Sequence, residues 1–306
     1  MPRKPAAEVD IDEALVRTLL AAQAGDAMPD AARLPLRKVA EGWDSEVWRL
    51  GDAFAVRLPR RAVAAPLVLH EQRTLPGISA RLRPLGIAVP DPIVRGEPTP
   101  EYPWHWSVVP WTEGERALAV PRTERTAWAA DLGRAMLALH TPAPADHPVN
   151  PYRGVPLADR DASVRERIGA LRDGKALPHD ALDALESVWD AGLRAEAWTV
   201  GPMWVHGDLH PGNLVVRDGS LAAIIDFGDV TAGDPAYDLA VAWLAFDSSG
   251  RARFHAATAA RYDQATWTRA RAWAASVALM LLAHSDDEPE YAALAQDAAS
   301  EVIADA

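Results

Sequence analysis

The stretch from Met203 to Gly228 restricts what this chain can fold into more than any other. It opens with the short apolar run Met203-Trp204-Val205 and passes through His206-Gly207-Asp208-Leu209-His210-Pro211-Gly212-Asn213. Asn213-Leu214-Val215-Val216 then leads to Asp218-Gly219, and Leu221 to Ile225 leads to Asp226-Phe227-Gly228. Two apolar runs of strand length joined by Asp-Gly read as a β-hairpin, because a tight hairpin turn needs positive φ and these residues tolerate it. His210 and Pro211 shape the preceding loop. The expected local fold is strand, tight loop, hairpin, with Asp208, Asn213 and Asp226 converging at the ends of that hairpin.

Two carboxylates and a carboxamide at such spacing suit phosphoryl transfer. The moving phosphoryl group passes through a loose, charge-rich transition state, so a protein acts on it mainly by positioning and neutralising. Mg²⁺ takes hard oxygen ligands and keeps several waters, so one carboxylate and one amide oxygen suffice to hold it. In this reading Asp208 takes or orients the proton of the attacking hydroxyl, and Asn213 and Asp226 hold Mg²⁺ against the nucleotide phosphates.

VHGDLHPGNLVV followed by AAIIDFGDVTAGDPAYDLA resembles the aminoglycoside phosphotransferase family, small-molecule kinases related to protein kinases. The likeness is strong from Trp204 to Phe246 and looser from Ala40 to Glu115. It implies an α+β, two-lobed protein-kinase-like fold: a nucleotide-binding lobe over residues 1–109, a hinge over 110–115, and a helical lobe over 116–306. It implies ATP or GTP as phosphate donor, Mg²⁺, and an acceptor hydroxyl on an aminoglycoside or related antibiotic. A metabolic kinase for a sugar or amino alcohol, a macrolide kinase and a nucleotide-binding pseudokinase are the alternatives. By the same resemblance His206 packs behind the catalytic loop and Asp238 bonds its backbone. Asp229 either reaches metal or substrate, or caps the loop after Asp226.

The nucleotide side departs from the kinase pattern. A Lys is expected on the third strand, yet Phe54-Ala55-Val56-Arg57-Leu58-Pro59-Arg60-Arg61 contains none. Arg57 stands in its place, on the strand face opposite Phe54, Val56 and Leu58, and its fork can bind phosphate bidentately; Arg60 or Arg61 reaching the phosphates instead is the alternative. Glu71 is the proposed partner, the one acidic residue of the following helix. Ala40-Glu41-Gly42-Trp43-Asp44-Ser45-Glu46 has a single Gly where a phosphate loop would have three, leaving backbone amides and the Ser45 hydroxyl as phosphate donors. Val109 and Trp111, in Val108 to Glu115, are expected to meet the purine.

Elsewhere the pattern predicts a helix over Ile11 to Gln23 and strands over Leu36–Ala40, Glu46–Leu50 and Ala53–Leu58. A helix over Ala65–Leu75 is expected to stop near Pro76, and two short strands lie at Ile93-Val94 and Trp106–Val109. A helix over Thr123–His140 has Thr123 as its N-cap. Further helices are expected near 162–171, 180–195, 235–246, 253–262, 264–283 and 290–303.

The net charge of −12 is uneven. Residues 1–110 carry 14 basic and 14 acidic side chains, and residues 111–306 carry 17 and 29. An acidic second half favours a cationic acceptor or serves solubility, and it disfavours nucleic acid. With no Cys there is no disulfide or thiolate metal site. No segment approaches the roughly 18 apolar residues of a spanning helix, so no membrane partner is expected and the chain reads as cytoplasmic.

Overall fold

The computed structural model describes residues 5–174, 177–258, 261–285 and 288–305. The chain divides into two compact units, and the break falls between Glu113 and Gly114. Of the described residues, the first unit contains those up to Glu113 together with Ile224–Gly228, and the second contains those from Gly114 to Ala223 and from Asp229 onward.

In the first unit, helix α1 (Glu13–Gln23) is capped by Asp12, whose carboxylate accepts the Leu15 amide at 2.8 Å. Strands β1 (Leu36–Glu41), β2 (Ser45–Leu50) and β3 (Phe54–Pro59) follow, then helix α2 (Ala65–Leu82), β4 (Val94–Gly96) and β5 (Trp106–Pro110). The five strands form an antiparallel sheet in the order β1-β2-β3-β5-β4. Val16, Leu19 and Leu20 of α1 share a core with Val56, Leu58, Trp106 and Val108. Gln72 of α2 donates to the Trp106 carbonyl and the Ser107 hydroxyl. Since Ser107 pairs with Arg57 in the register of β5 and β3, this contact directs α2 toward the residues that Arg57 can reach.

Helix α2 does not stop at Pro76 but continues to Leu82. A proline ring normally removes one helical hydrogen bond and clashes with the preceding turn, yet buried Leu75, Ile78 and Leu82 hold the helix through it. Tertiary packing outweighs the local preference here.

The second unit begins with the short strand β6 (Glu115–Arg116) and a 3₁₀ segment over Arg122–Trp128. Thr123 therefore lies inside the 3₁₀ segment and does not cap a helix; helix α3 (Ala129–Leu139) starts six residues later than expected. Helices α4 (Asp161–Asp173) and α5 (His179–Arg194) lead to strands β7 (Met203–Val205), β8 (Leu214–Arg217), β9 (Ser220–Ile224) and β10 (Thr231–Gly233). The sheets are β6-β8-β9 and β10-β7. Asp218 and Gly219 turn the hairpin with φ of 51° and 72°, the positive values that the Asp-Gly pair tolerates. The helix expected over 235–246 is divided at Ala240 into α6 (Ala236–Leu239) and α7 (Val241–Ala245). Helices α8 (Ser248–Thr258), α9 (Gln264–His284) and α10 (Pro289–Ala304) complete the unit. Part of the expectation for 253–262, at residues 259–260, lies outside the described residues. A five-stranded antiparallel sheet in one part and mainly helices in the other make an α+β fold.

Candidate active site

In the first unit, Arg57 projects from β3 and its Nη1 donates to Glu71 Oε1 at 2.6 Å. Its Nη2 donates to Asp226 Oδ1 at 3.1 Å. Burial works against the charge of Arg57, but Glu71 and Asp226 outweigh it and hold the guanidinium protonated. Glu71 is pushed up by burial, against the pull of Arg57. Asp226 follows β9 with φ of 62°, a conformation that costs a non-glycine residue energy and concentrates at functional positions. Its side chain is 56% exposed, and Oδ1 meets Arg57.

The other residues expected on the nucleotide side have partners within the first unit. Gly42 donates its amide to the Ser45 carbonyl at 2.8 Å, closing a tight turn before β2. Arg60 and Arg61 are engaged on this turn: Arg60 donates to the Gly42 carbonyl and pairs with Glu41, and Arg61 pairs with Asp44. Val109 is buried and pairs with Ala55 across β5 and β3. The Trp111 amide donates to the Ala53 carbonyl, and the Arg49 guanidinium stacks 4.3 Å from the Trp111 ring.

In the second unit the loop between β7 and β8 carries Asp208 and Asn213. It is built around Asp238 of α6, a fully buried carboxylate that accepts the amides of His206 at 2.6 Å and Gly207 at 3.1 Å. Gly207 has φ of 86°, and a Cβ there would stand 2.2 Å from the Asp229 carbonyl oxygen, so only glycine fits. Buried His206 accepts the Asp208 amide on Nδ1, and His210 accepts the Gly212 amide. Asn213 Nδ2 donates to the Asp208 carbonyl oxygen at 2.9 Å and reaches Asp208 Oδ2 at 3.4 Å. That orientation leaves Asn213 Oδ1 as a hard oxygen donor. Asp208 and Asn213 are thus brought together in one loop, and Asp226 belongs with Arg57 and Glu71 in the other unit.

Burial pushes the Asp208 carboxyl upward, but His210, Arg153 and His206 outweigh it and hold it well below the usual carboxylate range. Arg153 Nη2 stands 3.4 Å from Asp208 Oδ1 and 3.2 Å from Asp229 Oδ2, while Nη1 donates to the Tyr237 hydroxyl at 2.7 Å. Asn150 Nδ2 donates to Asp229 Oδ1 at 2.8 Å. Asp229 thus ties the 148–154 segment to the loop of His206–Asn213. Arg153, Asn150 and Tyr237 were not among the residues singled out by sequence. A loop position upstream of two helices carries no pattern that points at Asp208.

The donors suit Mg²⁺ in kind. The Asn213 carboxamide and the Asp226 carboxylate, each in its own unit, offer hard oxygens of the kind this ion takes. Among the described residues no group of three or more His, Cys, Asp or Glu is arranged to hold a metal by itself.

A profile of the phosphotransferase enzyme family matches residues 35–273. No curated protein matches the chain by sequence. Among solved structures, the GDP and kanamycin complex of APH(2")-IIIa covers 95% of this chain and 99% of its own, with 16% identity and a TM-score of 0.66. The streptomycin–ATP ternary complex of APH(2")-IIa covers 91% and 92%, with 19% identity and a TM-score of 0.59. Macrolide 2'-phosphotransferase MphH from Brachybacterium faecium covers 95% and 97%, with 21% identity and a TM-score of 0.60. At these identities the likeness is one of fold.

Proposed function

This chain belongs to the phosphotransferase enzyme family, and we propose that it moves the γ-phosphate of ATP or GTP to a hydroxyl of a small molecule, an aminoglycoside or related antibiotic. The observation that carries this reading is the loop from His206 to Asn213. It is fixed on the buried Asp238 and presents Asp208, ionised, beside Asn213. Relatives of the same fold hold ATP in one structure and GDP in another, which supports either nucleotide as donor.

The roles follow from the chemistry of the residues. The Asp208 carboxylate orients the acceptor hydroxyl and takes its proton as the oxygen attacks the γ-phosphorus. The new bond joins the acceptor oxygen to phosphorus, the bond from phosphorus to the bridging β,γ-oxygen breaks, and a nucleoside diphosphate leaves. Arg57, held by Glu71, contacts the nucleotide phosphates. Ser45 and the amides near it cover them, and Val109 and Trp111 flank the base. Asn213 and Asp226 are the proposed Mg²⁺ ligands, and the ion when bound neutralises charge on the phosphates.

A second reading is a kinase whose acceptor is neutral or carries a single charge. It is favoured by the acidic side chains of the second unit that already have internal partners. Arg165 pairs with Asp161, Glu186 and Asp190, Arg172 with Asp183 and Glu186, and Arg251 with Glu301 and Asp305. Incubation with ATP or GTP, Mg²⁺ and a panel of aminoglycosides, macrolides, sugars and amino alcohols tests both, with mass spectrometry of the acceptor as readout. A phosphorylated aminoglycoside supports the first reading and a phosphorylated neutral acceptor the second. No phosphorylated product from any acceptor would reject both.

A further inference from the structure

The carboxylates of Asp208 and Asp229 are already matched by resident donors. Asp208 Oδ1 faces Arg153, and Asp208 Oδ2 faces His210 Nε2 at 3.5 Å and Asn213 Nδ2 at 3.4 Å. Asp229 Oδ1 accepts from Asn150, and Asp229 Oδ2 accepts from Arg153. Each of these oxygens has a donor in place. The guanidinium is shared between both carboxylates and the Tyr237 hydroxyl, with its carbon 5.9 Å from the Tyr237 ring centroid.

The backbone that carries this cation is fixed as well. Gly154 has φ of 65°, and its carbonyl accepts the Asp234 amide at 3.1 Å. A Cβ on Gly233 would lie 1.9 Å from the Gly154 carbonyl oxygen, so these two glycines let the segment lie directly on β10. Thr231 donates its hydroxyl to the Pro148 carbonyl at 2.8 Å and pins the start of the same segment. Arg153 is therefore a tethered counter-ion, 26% exposed, beside carboxylates that are 34% and 29% exposed.

We propose that Arg153 is a specificity-determining residue that sets the charge of the acceptor: its guanidinium fills the place beside Asp208 and Asp229 that an ammonium group would take. An incoming ammonium would compete with the donors that already face each carboxylate oxygen and would meet a like charge, which discriminates against a partner more strongly than a missing contact does. The reacting hydroxyl then comes from a part of the acceptor with no cation next to it, whatever charges the acceptor carries further away. The inference rests on the reading of Asp208 as the group that meets the acceptor hydroxyl.

The test compares the wild type with Arg153→Gln, with Arg153→Met as a second charge-free form and Arg153→Lys as the charge-keeping control. kcat and KM are measured separately for uncharged hydroxyl compounds, a macrolide and kanamycin. Removing the charge should move the ratio of kcat/KM for kanamycin over that for an uncharged acceptor upward by about tenfold, largely through KM. Arg153→Lys should restore the wild-type ranking, which a merely structural role for Arg153 would not predict. Thermal stabilisation by kanamycin alone, which needs no turnover, should be greater in the charge-free forms than in the wild type. Equal kanamycin stabilisation in all four proteins, or a uniform loss across acceptors with the ranking unchanged, overturns the inference. If the wild type phosphorylates nothing, the kinase reading falls, and the kanamycin stabilisation still decides whether Arg153 excludes cations.

Discussion

Arg57 Nη1 lies 2.6 Å from Glu71 Oε1, and the Glu71 side chain is only 4% exposed. A buried carboxylate with one cationic partner makes that partner hard to remove. Arg57→Ala should destabilise the protein by about 3–5 kcal/mol, because it strands a buried charge, and Glu71→Gln in the same chain should recover part of the loss. Nucleotide affinity should fall most for Arg57→Ala and less for Arg60→Ala or Arg61→Ala, whose guanidinium groups are engaged with the turn before β2. Denaturant melts and nucleotide titration of the three variants check this; a larger affinity loss at Arg60 or Arg61 would reassign the phosphate contact.

Asp208→Asn should lower kcat by about 10² to 10⁴, the range of general-base catalysis, while nucleotide affinity persists. A steady-state assay paired with nucleotide titration separates the two effects, and near-wild-type turnover would remove Asp208 from the mechanism.

The same substitution has a pH signature in stability. Burial raises the Asp208 carboxyl, and His210, Arg153 and His206 more than reverse that, so its folded-state pKa is depressed. A depressed carboxylate contributes stability that is present above its unfolded value, about 3.9, and is lost as pH falls through the folded value. The stability gap between wild type and Asp208→Asn should therefore stay level from neutral pH to about pH 5 and narrow only in stronger acid. Melting curves over that range check it, and a gap that closes near neutrality would contradict the pairing of Asp208 with His210 and Arg153.

Asn213→Ala and Asp226→Ala should both raise the Mg²⁺ concentration needed for half-maximal rate. Asp226→Ala should be the more severe, because a carboxylate contributes charge as well as an oxygen. An unchanged Mg²⁺ titration in Asp226→Ala would exclude it as a ligand.

Asp238→Ala should cost both stability and turnover, since it strands the buried amides of His206 and Gly207 at about 1–3 kcal/mol per unsatisfied group. Asp208→Asn should leave those amides bonded. A variant that loses activity at Asp238 with an unchanged melting temperature would argue against the anchoring role.

Much of this was legible in the sequence because it depends on local chemistry. The Asp218-Gly219 turn, the strands flanking it and the five strands of the first unit follow from side-chain alternation and turn preference. The link from Asp238 to the catalytic loop was legible through family resemblance, which stores a contact between residues 32 apart in the chain. Where packing overrides local preference the sequence misled: α2 runs through Pro76, and Thr123 sits within a 3₁₀ segment. Arg153 was illegible because its partners lie 55 and 76 residues away, and only the fold of the 148–154 segment brings them together. The acidic excess locates no site by itself, since composition counts charges and does not show which ones, like Glu186 and Asp305, already have arginine partners.

Transfer of a phosphoryl group to a small-molecule hydroxyl, with Asp208 in contact with that hydroxyl, is tested most directly by ³¹P NMR. Wild type and Asp208→Asn are each incubated with Mg²⁺, ATP or GTP and the acceptor panel. A new phosphomonoester signal is expected with at least one acceptor in the wild type, formed in step with nucleoside diphosphate and lost in Asp208→Asn. Nucleoside diphosphate and free phosphate without any phosphomonoester, or equal phosphomonoester from both proteins, would contradict it.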